Sequence, residues 1–290
     1  YELTSDIDVR ELDSSSVLFI EEFRGTLNGN GHTIKNLDRP LFNSLNGAIV
    51  KDIIIQDVKL SGSTSRGAIA NEASKSTITN VHLRGLTMQT GVNESGSLIG
   101  VLKENSVIEK CSATDIKISG GNTRTGGLVG AIGRDGSVNN SYVQGVLNCK
   151  QDTIGGISGH AEGNSKVENN IAKVEFKVTS GPEKNGGIIG NLDRVTLKNN
   201  VSLSTGSKGN KVHGTKLNNA SSNNYELKES TLEPNLSSGG VIEVGENNIN
   251  ENFYKEKVKL DESIWNLENT SYNKMPSLKN SDPNSPANKQ

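Results

Sequence analysis

The chain has 290 residues, enough for one large domain or two modest ones. Its 31 basic and 33 acidic residues leave a formal net charge of −2, and no basic cluster interleaved with aromatics is present, which excludes the usual electrostatic footprint of a nucleic-acid binder. Hydrophobic residues make up 32% and aromatics 4%, little for an ordinary globular core, and no apolar run approaches a membrane span.

In chain order, residues 1–22 read as an amino-terminal cap, needed because an uncovered stack of strands exposes unpaired backbone groups. Residues 23–204 read as repeats. The glycine-dense entry Phe23–Phe42 opens them. A five-residue phrase then returns as Gly67-Ala68-Ile69-Ala70-Asn71, Gly96-Ser97-Leu98-Ile99-Gly100, Gly126-Gly127-Leu128-Val129-Gly130, Gly155-Gly156-Ile157-Ser158-Gly159 and Gly186-Gly187-Ile188-Ile189-Gly190. Its steps are 29, 30, 29 and 31 residues, the signature of stacked layers. A second column carries the same period: Ile49, Ile78, Ile108, Val138, Val167 and Leu197. Three positions after each stand Asp52, Val81, Cys111, Ser141, Asn170 and Asn200. Five after each stand Ile54, Leu83, Ala113, Val143, Ala172 and Ser202. These are mostly small or apolar, as the inside of a stacked coil requires.

Within a layer, short runs alternate apolar and polar, as in Ile116-Lys117-Ile118 and Phe176-Lys177-Val178, and Gly, Asn, Asp and Ser supply the turns between them. No helical period is visible over residues 40–205. The predicted fold is all-β: a right-handed parallel β-helix, a single-stranded solenoid with three strands per coil and a period of about 29–30 residues. The glycine pairs are read as backbone positions where a side chain would crowd the next layer or oppose a positive φ. A phosphate cradle would need a strand–loop–helix context that is absent. Asn80, Asn140, Asn169 and Asn199 share one column with Lys51 and Lys110. Stacked amides suit hydrogen bonding along the axis, and a sugar-binding stripe is the rival reading.

After Ser204 the rhythm fades. Residues 205–224 read as a loop or insertion. Residues 225–280 regain Tyr225, Phe253, Tyr254, Trp265 and Tyr272 and read as a carboxyl-terminal cap on the last coil. Residues 281–290 read as a linker tail.

Chemistry-bearing residues are scattered, and the sequence assigns no catalytic, cofactor-binding or metal-binding residue and leaves the substrate-binding residues unknown. His32, His82, His160 and His213 share no metal-ligand spacing and there is no H-E-x-x-H; His32 and His160 read as surface turn residues. Cys111 and Cys149 fall on different strands of adjacent layers and read as small buried hydrophobes, too few for a disulfide framework. Asp135, Asp152, Glu162 and Asp193 each sit in a different turn, whereas a polysaccharide-cleaving groove would gather carboxylates and aromatic platforms.

The run Thr125–Gly130 followed by Gly136–Asn140 resembles the GLUG motif of bacterial surface proteins. The entry Phe23–Leu37 and the closing Ile264-Trp265 with Met275–Leu278 resemble the two ends of such arrays. The whole is similar to the amino-terminal β-helix region of immunoglobulin A1-specific zinc metalloproteases of Gram-positive bacteria. That resemblance implies a non-catalytic segment of a secreted, cell-wall-associated endopeptidase. Immunoglobulin A1 and the protease's own catalytic domain are then its partners, and zinc belongs to the parent protease, not to this segment. No catalytic residue can be carried over, because the zinc motif is missing from this sequence. No signal peptide or sorting signal is visible, and a start on Tyr1 is read as that of a segment. The repeat also occurs in adhesins, so a surface module binding host glycans or proteins is the alternative, with a polysaccharide-active enzyme behind it.

Overall fold

The computed structural model describes residues 1–11, 20–62, 66–120, 123–149, 153–177, 185–206, 212–217, 220–232 and 240–279. Among these, the chain winds into a parallel β-helix whose coils present three faces. The first face is an eight-stranded parallel sheet. Its strands are Ile20–Phe23, Phe42–Asn46, Ala70–Ser74, Ile99–Lys103, Val129–Ile132, Ser158–Glu162, Ile189–Asp193 and His213–Leu217. The second and third faces merge into one larger sheet, because in the early coils a single strand runs through both, as in Ile49–Gly62 and Thr77–Thr90. Later coils divide it, as in Val107–Glu109 with Ser112–Gly120 and Ser137–Asn139 with Tyr142–Cys149.

The layers stack with equivalent residues over one another. Ile78, Ile108, Val138, Val167 and Leu197 are direct partners in adjacent strands. The glycine phrases form the turn into the first face and bond rung to rung: Ile69 N–H donates to Leu98 O, Leu98 to Leu128, Leu128 to Ile157, Ile157 to Ile188 and Ile188 to Val212, all at 2.7–3.0 Å. This contact is too close for side chains. A Cβ on Gly127 would collide with the carbonyl oxygen of Gly156 and stand 2.8 Å from Val143 Cγ2. Crowding by the next layer therefore accounts for Gly127, whereas a Cβ on Gly126 would meet first the Val129 carbonyl of its own phrase and then Ser158 Cα of the next layer at 2.7 Å; neither glycine has a positive φ.

The corner between second and third faces explains the asparagine column. Asp52, Asn80, Lys110, Asn140, Asn169, Asn199 and Asn223 all hold left-handed backbone, with φ between 48° and 58°. Asparagine and aspartate tolerate that region best among residues with a Cβ. Their amides also bridge coils in part: Asn80 Nδ2 donates to Asp52 Oδ1 (2.7 Å), Asn199 to Asn169 (3.0 Å) and Asn223 to Asn199 (2.8 Å). The next column carries a second ladder inside the solenoid, through fully buried Asn170, Asn200 and Asn224.

Four expectations need correction. Ile49 is not the first member of the apolar column: it pairs with Thr77 and is 41% exposed, while buried Val50 pairs with Ile78. The step from Val50 to Ile78 is 28 residues, one shorter than the sequence register assumed, so Asp52, Ile53 and Ile55 take the places given to Lys51, Asp52 and Ile54. Within residues 1–22, whose positions 12–19 lie outside the described residues, the described strands are not a separate cap: Ile7–Asp8 pairs with Ile34–Lys35 and Ile20–Phe23 with the first-face strand Phe42–Asn46, so both belong to the coil stack. The stretch 205–224 is not simply a loop, since His213–Leu217 and Ala220–Ser222 extend the first and second faces. Asn224–Leu227 and Val241–Val244 then extend the third.

The aromatic closing segment does more than cover the last coil. It folds back along the flank. Trp265 lies 6.2 Å from Tyr142, three third-face strands before Tyr225, and Lys173 Nζ donates to Tyr272 O at 2.7 Å. Its apolar residues form a second core, distinct from the interior of the solenoid, around Phe253, Tyr254, Val258, Leu260, Trp265, Leu267 and Leu278.

Candidate functional site

The histidines divide by environment. His32 is half-exposed beside Asp6 (3.4 Å). His160, expected in a surface turn, instead sits within a first-face strand, 7% exposed, with Nε2 3.2 Å from Glu162. His82 and His213 are buried as well. His82 invites scrutiny because its Nδ1 lies 2.9 Å from Ser112 Oγ and its Nε2 2.8 Å from Asn80 Oδ1, an order that resembles nucleophile, base and orienter. The chemistry argues otherwise. Asn80 Nδ2 is committed to Asp52, so its oxygen must accept from Nε2–H, and Nδ1 accepts the Ser112 hydroxyl proton. Both residues are buried, at 1% and 3% exposure, and burial drives the His82 pKa down to about 3 with Arg84 adding to it. A base so weak, with no path to solvent, serves the fold.

Cys111 and Cys149 are free, buried and unpaired, as read from the sequence. Burial raises their thiols to about 12 and about 11, so neither offers thiolate at neutral pH. Among the described residues no group of three or more His, Cys, Asp or Glu could hold a metal ion. Asp135 occupies a left-handed turn, and Glu162 and Asp193 are neighbours in adjacent first-face strands, which the sequence had placed apart. Asp152 lies outside the described residues.

The feature that sequence reasoning missed is a groove on the third face, about 790 Å³ in volume. It exists because four stacked strands bend at the same place. Asn36, Asp57, Gly85 and Asp115 all have left-handed backbone, with φ of 64°, 55°, 76° and 53°. Asp57 and Asp115 both flank Gly85 in register, and a bulge carries the bend on to Gly145. At Gly85 the left-handed φ is joined by a neighbour: a Cβ would stand 3.3 Å from Asp57 Oδ1.

Two positions after the bend, Lys59, Thr87 and Lys117 form one outward column in register, and across the bulge Val146, one position after Gly145, continues it. The wall and floor therefore repeat as Asp57/Lys59, Gly85/Thr87, Asp115/Lys117 and Gly145/Val146. Charged coils alternate with uncharged ones. With adjacent strands about 4.8 Å apart, the two carboxylate–ammonium pairs recur at roughly 9–10 Å along the axis. All four charged side chains are exposed. The amino-terminal end of the groove is closed by Arg10, whose guanidinium pairs with Asp8 at 3.1 Å and holds that carboxyl well below the usual carboxylate range. Such a surface presents fixed charge of both signs at a regular interval and suits binding better than proton transfer. A lone Asp before an apolar residue in alternate layers was the one available signal, and the single-residue shift in the second coil obscured it.

Residues 1–85 match the family model of the M26 IgA1-specific metallo-endopeptidase N-terminal region. The chain is 30% identical over 206 residues to an immunoglobulin A1 protease of Streptococcus sanguinis, an alignment covering 55% of this chain and 11% of that protein. It is 28% identical over 219 residues to the zinc metalloprotease ZmpC of Streptococcus pneumoniae serotype 4 (strain ATCC BAA-334 / TIGR4), covering 69% and 12%. The chain thus spans only about a tenth of the length of these curated relatives. A crystal structure of a putative immunoglobulin A1 protease from Bacteroides ovatus superimposes with a TM-score of 0.59 at 17% identity, over 97% of this chain and 86% of that one, a likeness of fold. The resemblance read from the glycine phrases and the two ends of the array is borne out.

Proposed function

We propose that this chain is a non-catalytic β-helix domain of a secreted, cell-surface zinc metalloendopeptidase that cleaves immunoglobulin A1, and that it holds or gates the protein substrate. The likeness to the M26 amino-terminal region motivates the parent enzyme and its zinc, which belongs to the catalytic domain elsewhere in the polypeptide. The observation that carries the binding role is the third-face groove, with its two charged pairs two coils apart. An extended polypeptide rises about 3.3 Å per residue, so roughly three residues span the interval between pairs. Backbone N–H groups meet the carboxylates, and carbonyls meet the lysines. A rigid solenoid makes this contact with little ordering cost of its own.

The experiment has two arms. The 290-residue chain is titrated with immunoglobulin A1, with and without the double change Lys59→Glu and Lys117→Glu, and the parent enzyme is assayed with residues 20–280 deleted. The reading expects weakened binding in the double variant at unchanged melting temperature, and impaired cleavage on deletion. Cleavage unaffected by the deletion removes the substrate role. Binding to glycan arrays in its place favours the adhesin alternative.

A further inference from the structure

We propose that residues 246–279 form a strap that opens as one unit from the flank of the solenoid, with Lys173 as its latch. The sequence of the flank itself is the first reason. One outward column of the third face runs Ile54, His82, Ser112, Tyr142, Ile171, Val201, Tyr225 in direct register. It turns apolar without interruption from Tyr142 onward, beneath the strap; the earlier members His82 and Ser112 are buried too, and there Ser263, Ile264, Leu278 and Lys279 of the strap line a small cleft with Asn80 and Lys110. Ile171, Val201 and Tyr225 belong to the strap's core and not to the interior of the solenoid, and Tyr142 packs against that core. The molecule therefore has two hydrophobic cores separated by a layer of strand backbone, the arrangement in which one unit opens while the other stays folded.

The polar attachments are local. Lys173 Nζ donates to Tyr272 O at 2.7 Å and lies 4.1 Å from the centroid of the Tyr272 ring. Tyr225 Oη and Asn223 Nδ2 donate to Lys257 O at 2.8 and 3.1 Å. Glu246 N–H donates to Glu229 Oε2 at 3.1 Å where the strap begins. Bonds within the strap include Lys255 with Glu262 at 2.9 Å and the antiparallel pair of Trp265–Asn266 with Ser277–Leu278. The strap also carries two buried groups without a hydrogen-bond partner among the described residues, Tyr254 Oη and Trp265 Nε1. Water satisfies such groups on opening, so they favour the open state. Lys173 gains on closing both a charged hydrogen bond and an aromatic face, which oppose it.

Hydrogen–deuterium exchange on the 290-residue chain tests this, with Trp265, the only tryptophan, as a fluorescent reporter of the same event. In the unaltered protein, amides of 253–278 are expected to exchange faster than those of the first-face strands Val129–Ile132 and Ser158–Glu162. Lys173→Ala should accelerate strap exchange by roughly tenfold and red-shift Trp265 emission, leaving the first-face strands unchanged. Lys173→Arg should restore most of the protection, and Tyr272→Leu, which keeps the carbonyl but loses the ring, should fall between. A single common exchange rate for strap and solenoid in the unaltered protein would overturn the separable unit, whatever the variants do. Unchanged strap exchange in Lys173→Ala would overturn the latch.

Discussion

Asn199 and Asn200 stand side by side and should respond to substitution in opposite ways. Asn200 is fully buried. Its Nδ2 donates to Val167 O (2.8 Å) and Asn224 Oδ1 (2.9 Å), and its Oδ1 accepts from Asn170 N and Nδ2 (both 3.1 Å). Asn200→Ala deletes these four bonds and takes from the buried Asn170 backbone N–H its side-chain acceptor, while Asn170 Nδ2 keeps its bond to Val138 O. At about 1 kcal/mol net for each bond, the expected loss is roughly 3–5 kcal/mol. Asn200→Gly should cost at least as much, because it also adds backbone freedom to the unfolded chain. Asn199 is half-exposed and its φ is 54°. There Ala costs about 1–2 kcal/mol for the left-handed backbone, whereas Gly recovers most of it. Urea unfolding followed by far-ultraviolet circular dichroism gives the comparison as midpoint shifts, provided the slope stays constant. An Asn200→Ala loss below about 1 kcal/mol, or Gly proving worse than Ala at 199, would refute the division into a buried ladder and a conformational corner.

Gly127→Ala should cost about 2 kcal/mol or more by overpacking against the Gly156 carbonyl and Val143, while Gly133→Ala, whose nearest neighbour would be 3.6 Å away, should be tolerated; melting temperatures of the two variants decide it. Burial lowers the His82 pKa from 6.5 to about 3, so between those values the unfolded chain binds a proton that the folded one does not. The stabilisation is complete above pH 6.5 and is lost as pH falls toward 3, by up to about 1.4 kcal/mol per unit; His82→Gln should flatten that part of the stability–pH curve, and an equal slope would count against it. Cys111 and Cys149 should resist a thiol reagent at neutral pH until the chain unfolds, so that labelling follows denaturation; rapid labelling of the native chain would contradict their burial.

Much of the solenoid was legible in the sequence because a stack repeats its constraints. Each coil must offer a small residue where layers touch and an apolar one where they enclose the core, so the glycine phrases and the column from Ile78 to Leu197 declare both period and fold. The same repetition misled where the period slipped: adjacent Ile49 and Val50 look alike in sequence, and only strand pairing shows that Val50 faces inward. Strand pairing at both ends was also hidden, since Ile7–Asp8 and His213–Leu217 lack the phrase and are recruited by the exposed edge of a neighbouring coil.

By itself the amino-acid order determined the layered architecture, the buried thiols and the family resemblance, because these depend on spacing along the chain. The tertiary structure decided the groove and the flank. Asp57, Gly85 and Asp115 become one bend only when three strands come into register, and Tyr142, Ile171, Val201 and Tyr225 become one apolar stripe only when a segment from the far end of the chain lies across them. Both features arise from residues about 30 positions apart that share no local pattern, and stacking at strand separation is what turns each set into a surface.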